Sequence, residues 1–480
     1  MALRTPRMVL GDDVGLGKTL EAIVALTYIK ASQPETKALV LTEKVAFRQW
    51  ENEFKWLAPK IKVLRITADS HPDPATRVRA FRQHGADVII TSYGMIYNYR
   101  NHILEGLQPR WVFIADEPNY FKTTTTKLHA GTFEMVNGKK GAARAYGLTA
   151  TIVENKLEEA FGILRVIAPG TIGSLVEFEK KYCIKRKIKM GRRITIGYKN
   201  LDQFRKQIEP AFYGRLQDDP EVEQDLPEVL SKDVEITLGK EQSWKLLEAT
   251  DRIIEMPDGT TKQVDILPAL ILSQQLANDP RLLGFKIEGE KMNALLETIE
   301  HSLAGERVMV FSKLRSQIDM LEKFLNKAGH ETVRITGREK QSTREEAQER
   351  FMSDGRNRCN ILLMTRAGQK ALNLQKGGHL FFFDLPWSYG MYRQTIGRLK
   401  RTGSTHKKIG VYRMLATLHP EVAKEVGGSD QTIDHYSLKV IMKKFQLWQA
   451  ITGDEKEIST SPSDLTEIWN EVKQSWRKSK

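Results

Sequence analysis

Asp12-Asp13-Val14-Gly15-Leu16-Gly17-Lys18-Thr19 stands between an apolar stretch, Met8–Leu10, and a helical pattern, Leu20–Leu26. Strand, glycine-rich turn and helix, in that order, are the setting of a phosphate-binding loop. Glycines let the backbone curl so that its N–H groups face phosphate oxygens, and the helix N-terminus adds positive potential. In such a loop Lys18 reaches the β- and γ-phosphates of a nucleotide, and the Thr19 hydroxyl ligates Mg²⁺. Asp12, Gly15, Gly17, Lys18 and Thr19 form the candidate nucleotide-binding set. The general pattern has Gly where Asp12 stands, and a plain glycine-rich turn is the competing reading. Gly-Lys-Thr running straight into a helix favours the phosphate loop.

Outward from the loop, short apolar runs alternate with segments of helical length. Ala38–Thr42, Val88–Ser92 and Trp111–Ala115 read as buried strands, with Leu20–Ala31 and Phe47–Trp56 as helices. The same grammar returns late in the chain. Arg307–Ser312, Thr332–Ile335, Ile361–Thr365 and His379–Asp384 read as strands, separated by the helical patterns Ser316–Ala328 and Thr343–Met352. Such alternation predicts parallel sheets covered by helices on both faces. The expected fold class is α/β, with two parallel-sheet lobes at 1–165 and 286–450 and a mainly helical insertion at 166–285. A polar tail follows at 451–480, helical near Leu465–Trp476. Within the insertion, Lys180–Lys199 holds nine basic residues and no acidic ones, and its alternation around Met190–Gly191 suggests an exposed hairpin. Helices are expected over Leu201–Leu216 and Gln242–Glu255.

The chain has 480 residues; 74 Lys and Arg against 60 Asp and Glu give a net charge of +14. Length and 40% hydrophobic content allow full cores without staples. Two cysteines, Cys183 and Cys359, exclude a disulfide scaffold and a Cys-rich zinc domain, and suit a reducing compartment. No run approaches the ~18 apolar residues of a membrane span, and Asp12 and Asp13 interrupt the first apolar stretch, unlike a signal peptide. The basic surplus points to a polyanionic partner, nucleic acid first.

Two further motifs carry chemistry. Asp116-Glu117 follows the strand pattern Trp111–Ala115. There Asp116 would hold the Mg²⁺ shell and Glu117 would act as general base toward water. An acidic pair at a strand end is also a common solvated loop; its placement about a hundred residues after a phosphate loop strengthens the functional reading. Gln394, Arg398 and Arg401 follow the strand pattern His379–Asp384, and their spacing places them on one helical face. Two arginines so placed suit a triphosphate whose charge shifts during cleavage. A solvated basic helix is the alternative, since Arg393, Lys400 and Lys407 lie nearby.

In order along nearly its whole length, the chain resembles helicase superfamily 2 proteins of the Swi/Snf type. DDVGLGKT resembles the family's first motif, which explains Asp12. ALVLTEKVAFRQWENEF and DVIITSYGMI follow. DEPN (Asp116–Asn119) occupies the Asp-Glu-x-His site, with Asn119 for His. LTATIVENKLEE (Leu148–Glu159) follows, with Ile152 for Pro. VMVFSKLRSQIDML, RITGREKQSTREEAQERF, TRAGQKALNL (Thr365–Leu374, with Ala371 for Gly) and QTIGRLKRTGS match second-lobe motifs. DLPEV, QQLANDP and TIDHYSLKVIMKKF are similar to family connectors. KYC followed by GYKNLDQF is similar to the HARP-like annealing branch.

The resemblance implies two RecA-like lobes, ATP and Mg²⁺ held between them, and translocation along double-stranded DNA without strand separation. It implies that Lys18, Thr19, Asp116 and Glu117 act from the first lobe, and Gln394, Arg398 and Arg401 from the second. Thr149 and Thr151 would couple nucleotide to DNA. Ser92, Tyr93, Ser312 and Thr365 would contact the phosphate backbone, so binding would be salt-sensitive and sequence-blind. The basic run is either part of that DNA path or a solvated protrusion. Family members carry an adenine-recognising Gln before the phosphate loop, and no Gln stands among the ten residues before Gly11. Either translation starts upstream or that contact is absent. The expectation is a monomeric DNA-dependent ATPase serving remodelling, fork regression or strand annealing. Its compact size suits a bacterial or phage protein in the cytoplasm, at the nucleoid or in the host cytoplasm. Competing readings are a strand-separating DNA or RNA helicase and a nucleotide-gated DNA-binding module with little turnover.

Overall fold

A computed structural model describes residues 4–187, 193–216, 219, 222, 226–366 and 374–452. Expectations for Met190–Gly191, for Ala371 and for a helix at Leu465–Trp476 lie outside these residues. The chain divides into one compact unit over Met1–Glu223 and another over Gln224–Phe445.

The first unit is built on strands β1 (Arg7–Leu10), β2 (Lys37–Thr42), β3 (Val63–Arg65), β4 (Val88–Ser92), β5 (Trp111–Asp116) and β6 (Arg144–Leu148). A short seventh partner from later in the chain, Phe212–Tyr213, completes the sheet. The order is β3-β4-β2-β5-β6-β1-(Phe212–Tyr213), and every pairing is parallel. Alternation explains the unbroken apolar runs. Leu39 and Leu41 enter one core with Ile89, Phe113 and Ala115, while Ala38 and Val40 enter the opposite core with Val88, Ile90, Val112 and Ile114. A strand buried on both faces needs apolar residues at every position. Helices α1 (Lys18–Ser32), α2 (Phe47–Leu57), α3 (Pro74–Arg82), α4 (Tyr93–Leu107), α5 (Lys127–Asn137) and α6 (Leu157–Ile167) connect and cover the sheet.

The second unit carries a six-stranded, all-parallel sheet. Its order is Glu228–Thr237, Lys408–Thr417, His379–Phe382, Val308–Phe311, Ile361–Met364, Thr332–Ile335. The α/β class with two parallel-sheet lobes is thus present. The 166–285 segment is shared between the lobes: Phe212–Tyr213 extends the first sheet and Glu228–Thr237 extends the second. Cys183–Lys187 and Arg193–Tyr198 form the expected antiparallel pair.

Two predicted helices are shorter than their patterns. The Leu201–Leu216 pattern gives a helix only over Leu201–Ile208; a 3₁₀ turn containing Pro210 follows, then the edge strand. Proline lacks the N–H that would continue the helix. The Gln242–Glu255 pattern gives Lys240–Thr250, after which Arg252 takes a positive φ of 66° and Ile253–Glu255 pairs as a strand with Thr261–Gln263. Among the described residues no helix is long and apolar enough to cross a membrane.

Candidate active site

In the first unit the loops after β1, β2, β4, β5 and β6 leave the carboxyl edge of one sheet, where parallel α/β sheets bind ligands. The register aligns those ends: Leu10 and Asp116 both pair with Leu148, and Thr42 pairs with Ser92. The phosphate loop curls through Gly15 and Gly17, both at φ 85°, a left-handed conformation that favours glycine. Helix α1 then starts at Lys18, with Gly17 as its N-cap. The Lys18 ammonium donates to the main-chain oxygens of Asp12 (2.7 Å) and Asp13 (3.0 Å). Burial lowers its pKa, opposed by the surrounding carboxylates of Glu117, Asp13, Asp12 and Asp116.

Asp116 ends β5. Its Oδ2 accepts from Thr42 Oγ1 at 2.7 Å and from Trp50 Nε1 at 2.9 Å. Burial raises the Asp116 pKa, and those two donors with Lys18 oppose the shift. Glu117 follows in a left-handed backbone conformation (φ 56°, ψ 70°). Such a conformation costs a non-glycine residue roughly 1–3 kcal/mol and persists only where surroundings hold it. Here the Glu117 N–H donates to Leu148 O at 2.8 Å. The Tyr93 hydroxyl donates to Asp116 O (2.6 Å) and Glu117 O (3.2 Å). Thr149 Oγ1 lies 3.3 Å from Glu117 Oε2 and also accepts from the Thr151 N–H at 3.1 Å. Lys18, Asp116, Glu117 and Thr149 are therefore brought together.

The Asp12 carboxylate is wholly buried. Arg215 donates to it from its main-chain N–H (2.8 Å), from Nε (3.0 Å) and from Nη2, which also meets Glu21. Asn119, at the departing position, donates from Nδ2 to Glu154 Oε1 at 2.9 Å, and Glu154 pairs with Lys122.

Beside this centre, Ser92, Tyr93, Gly94, Thr42, Glu43, Lys44, Val45 and Tyr120 line a pocket of about 290 Å³. Ser92 is the N-cap residue of α4. Tyr93 opens helix α4. Its hydroxyl serves the acidic turn and its ring stacks on Tyr120 (4.6 Å between centroids), so Tyr93 backs the pocket and its polar end faces inward. Burial of the phenol explains the choice, because a buried hydroxyl needs a partner.

In the second unit Ser312 is fully buried, and its hydroxyl bonds Asp384 Oδ2. That hydroxyl is engaged inside the protein. Thr365 sits at a strand end, its N–H on Ile335 O at 3.2 Å. Gln394 lies in the helix Tyr389–Ile396, but Arg398 and Arg401 lie past its end. The expected single helical face is not formed. Arg398 N–H reaches Thr395 O and Leu399 N–H reaches Ile396 O, a tightened closing turn, and Arg401 Nε donates to Gly397 O at 2.9 Å.

Sequence reading missed Thr42, Trp50, Tyr120 and Arg215. Thr42 and Trp50 were visible only as a strand end and a core-facing aromatic; Arg215, 203 positions from Asp12, gave no signal.

A family model described as SNF2-related domain matches residues 4–282, and one described as helicase conserved C-terminal domain matches 290–403. This chain belongs to the SNF2-related family. Similar proteins include the human SWI/SNF-related matrix-associated actin-dependent regulator of chromatin subfamily A member 1. It is 26% identical over 432 residues, covering 85% of this chain and 39% of that one. The putative ATP-dependent helicase/translocase YwqA of Bacillus subtilis is 26% identical over 426 residues, covering 85% of this chain and 44% of its own. The chain thus spans about two fifths of the length of these relatives. The Sulfolobus solfataricus SWI2/SNF2 ATPase core in complex with dsDNA is 21% identical, with 94% and 93% of the two chains covered and a TM-score of 0.40.

Among the described residues no group of three or more His, Cys, Asp or Glu could hold a metal ion by itself. Thr19, in the first turn of α1, offers a hydroxyl, and Asp116, at the end of β5, offers a carboxylate; both are hard oxygen donors. They fit an ion that is also held by nucleotide phosphates, as Mg²⁺ is.

Proposed function

We propose that this SNF2-related chain is a DNA-stimulated ATPase that moves along double-stranded DNA. The observation that carries the reading is the meeting of Lys18, Asp116, Glu117 and Thr149 at one sheet edge, beside a pocket lined by Ser92 and Lys44. Lys18 exchanges its main-chain acceptors for β- and γ-phosphate oxygens. Thr19 and Asp116 hold Mg²⁺, which neutralises phosphate charge when bound. Glu117 takes the proton of the attacking water, its carboxylate oriented by Thr149 and its backbone by Tyr93. Gln394, Arg398 and Arg401 contribute from the second unit, the arginines stabilising charge on the transferring phosphoryl group. Ser92 and Lys44 meet one strand's phosphates, which requires no base exposure and carries no sequence preference.

ATP hydrolysis measured side by side without nucleic acid, and with duplex DNA, single-stranded DNA or RNA, tests the proposal. Duplex DNA is expected to stimulate most, and the chain is expected to displace a triplex-forming strand without unwinding the duplex. Efficient unwinding of a tailed duplex, or response to RNA alone, would replace this reading with a strand-separating helicase.

A further inference from the structure

Asp12 is wholly buried and lies at the mouth of the phosphate loop, with its main-chain oxygen on Lys18 Nζ. A buried carboxylate this close to the nucleotide lysine is a hazard for ATP binding. It competes for the same ammonium and adds negative charge beside an incoming triphosphate. The only described cation bonded to that carboxylate comes from far along the chain. The segment at Phe212–Tyr213 pairs parallel with Val9–Leu10, and two further bonds extend the attachment into the loop: Gly11 N–H to Tyr213 O, and Asp13 N–H to Arg215 O at 2.9 Å. This delivers Arg215 with its main-chain N–H on Asp12 Oδ1 and its guanidinium on Asp12 Oδ2 and Glu21. Asp12 enters the loop and Glu21 lies in the first turn of α1, so one guanidinium joins the two ends of the loop.

We propose that Arg215 is a positioning residue for ATP binding: by occupying the carboxylates of Asp12 and Glu21, it leaves Lys18 free to transfer to the nucleotide phosphates. The inference rests on the phosphate-loop reading. A guanidinium suits the task because it stays charged and its fork serves two carboxylates at once, which a lysine ammonium cannot reproduce. In its absence Asp12 is left to Lys18, whose ammonium already feels its charge, and ATP has to displace an ion pair instead of two carbonyl contacts.

The test is titration of the full chain with Mg²⁺-ATP, by direct binding and by steady-state hydrolysis with saturating duplex DNA. Arg215→Ala is expected to raise Kd and KM for ATP about tenfold or more, with kcat within about threefold of wild type. Arg215→Lys is expected to fall between. Asp12→Asn combined with Arg215→Ala is expected to recover most of the affinity, because a neutral amide does not hold Lys18. If Arg215→Ala does not fold, Arg215→Lys, alone and combined with Asp12→Asn, carries the same comparison. Wild-type ATP affinity in Arg215→Ala, a loss confined to kcat, or no recovery in the double variant would overturn the inference. A wild-type chain that binds no ATP would overturn the phosphate-loop reading and the inference with it.

Discussion

Lys18 sits among four carboxylates yet bonds two carbonyl oxygens, so its charge is held ready near the loop, with no ion pair of its own among the described residues. Replacing it with alanine removes the positive charge that meets the transferring phosphoryl group. Lys18→Ala is predicted to abolish measurable ATP turnover; near wild-type hydrolysis would remove the phosphate-loop assignment. Glu117 makes a separate prediction. Its left-handed backbone is fixed by Leu148 and Tyr93, and its carboxylate lies against Thr149. Glu117→Gln keeps shape and backbone but cannot accept a proton. It is predicted to bind Mg²⁺-ATP like wild type while hydrolysis falls by roughly two orders of magnitude or more. Binding and turnover falling together would make Glu117 a structural or metal-holding residue.

At the scale of elements, the acidic turn is positioned by close packing behind it. The 3₁₀ turn Pro118–Phe121 follows Glu117 directly, and α6 lies against it. The approach is closest at Gly162, where a Cβ would stand 1.9 Å from Lys122 O, main-chain against main-chain. Alanine is intrinsically the better helix residue by about 1 kcal/mol. Overpacking against rigid backbone costs about 1–3 kcal/mol, so the clash should win. Gly162→Ala is predicted to lower stability in urea unfolding and to reduce kcat through a displaced Glu117. A variant as stable as wild type would show that α6 yields without disturbing the turn. The element predictions from sequence succeeded where one force dominates: the doubly buried strand Val88–Ser92 has the bounds that its apolar run predicts. They overran where a helical pattern continued past Pro210 or Thr250, because periodicity reports an amphipathic face and not the backbone break that ends it.

Over the whole molecule, stretches that read as unremarkable connectors converge on one buried polar network in the second unit. Lys291 donates to Asp434 Oδ2 (2.6 Å) and Phe383 O (3.0 Å), Gln274 donates to Asp434 Oδ1 (2.9 Å), and Asn278 donates to Asp384 Oδ2 (2.9 Å). Lys313 donates from Nζ to Gln274 Oε1 and Leu385 O, each at 2.9 Å, and its main-chain N–H reaches Asp384. Burial lowers the Lys313 ammonium to about 8. Between pH 8 and the ordinary lysine value near ~10.4, the unfolded chain holds a proton that the folded chain has lost, so stability rises with pH across that window. The penalty for burying the charge is in force below pH 8. In urea unfolding at pH 7 and pH 10, wild type is predicted to gain stability relative to Lys313→Met as pH rises. A flat or falling difference would contradict the burial of a charged ammonium there. Arg401 belongs to the second unit and Lys18 to the first. If Arg401 is an arginine finger, Arg401→Ala leaves ATP affinity near wild type and lowers DNA-stimulated turnover by about 10³. Weaker DNA binding with unchanged hydrolysis would instead make it part of a basic surface.

The sequence alone determined the α/β class, most of the strands, the phosphate loop and the acidic pair. These depend on contiguous residues: apolar runs that must be buried on both faces, glycines that permit a curl, carboxylates at a strand end. Only the tertiary structure decided that Arg215 holds Asp12, that Thr42 and Trp50 hold Asp116, that Tyr93 and Ser312 face inward, and that Arg398 and Arg401 leave their helix. A hydrogen bond across 203 positions leaves no local periodicity. A hydroxyl's direction depends on which buried acceptor the fold brings within reach, and no spacing in the chain encodes that.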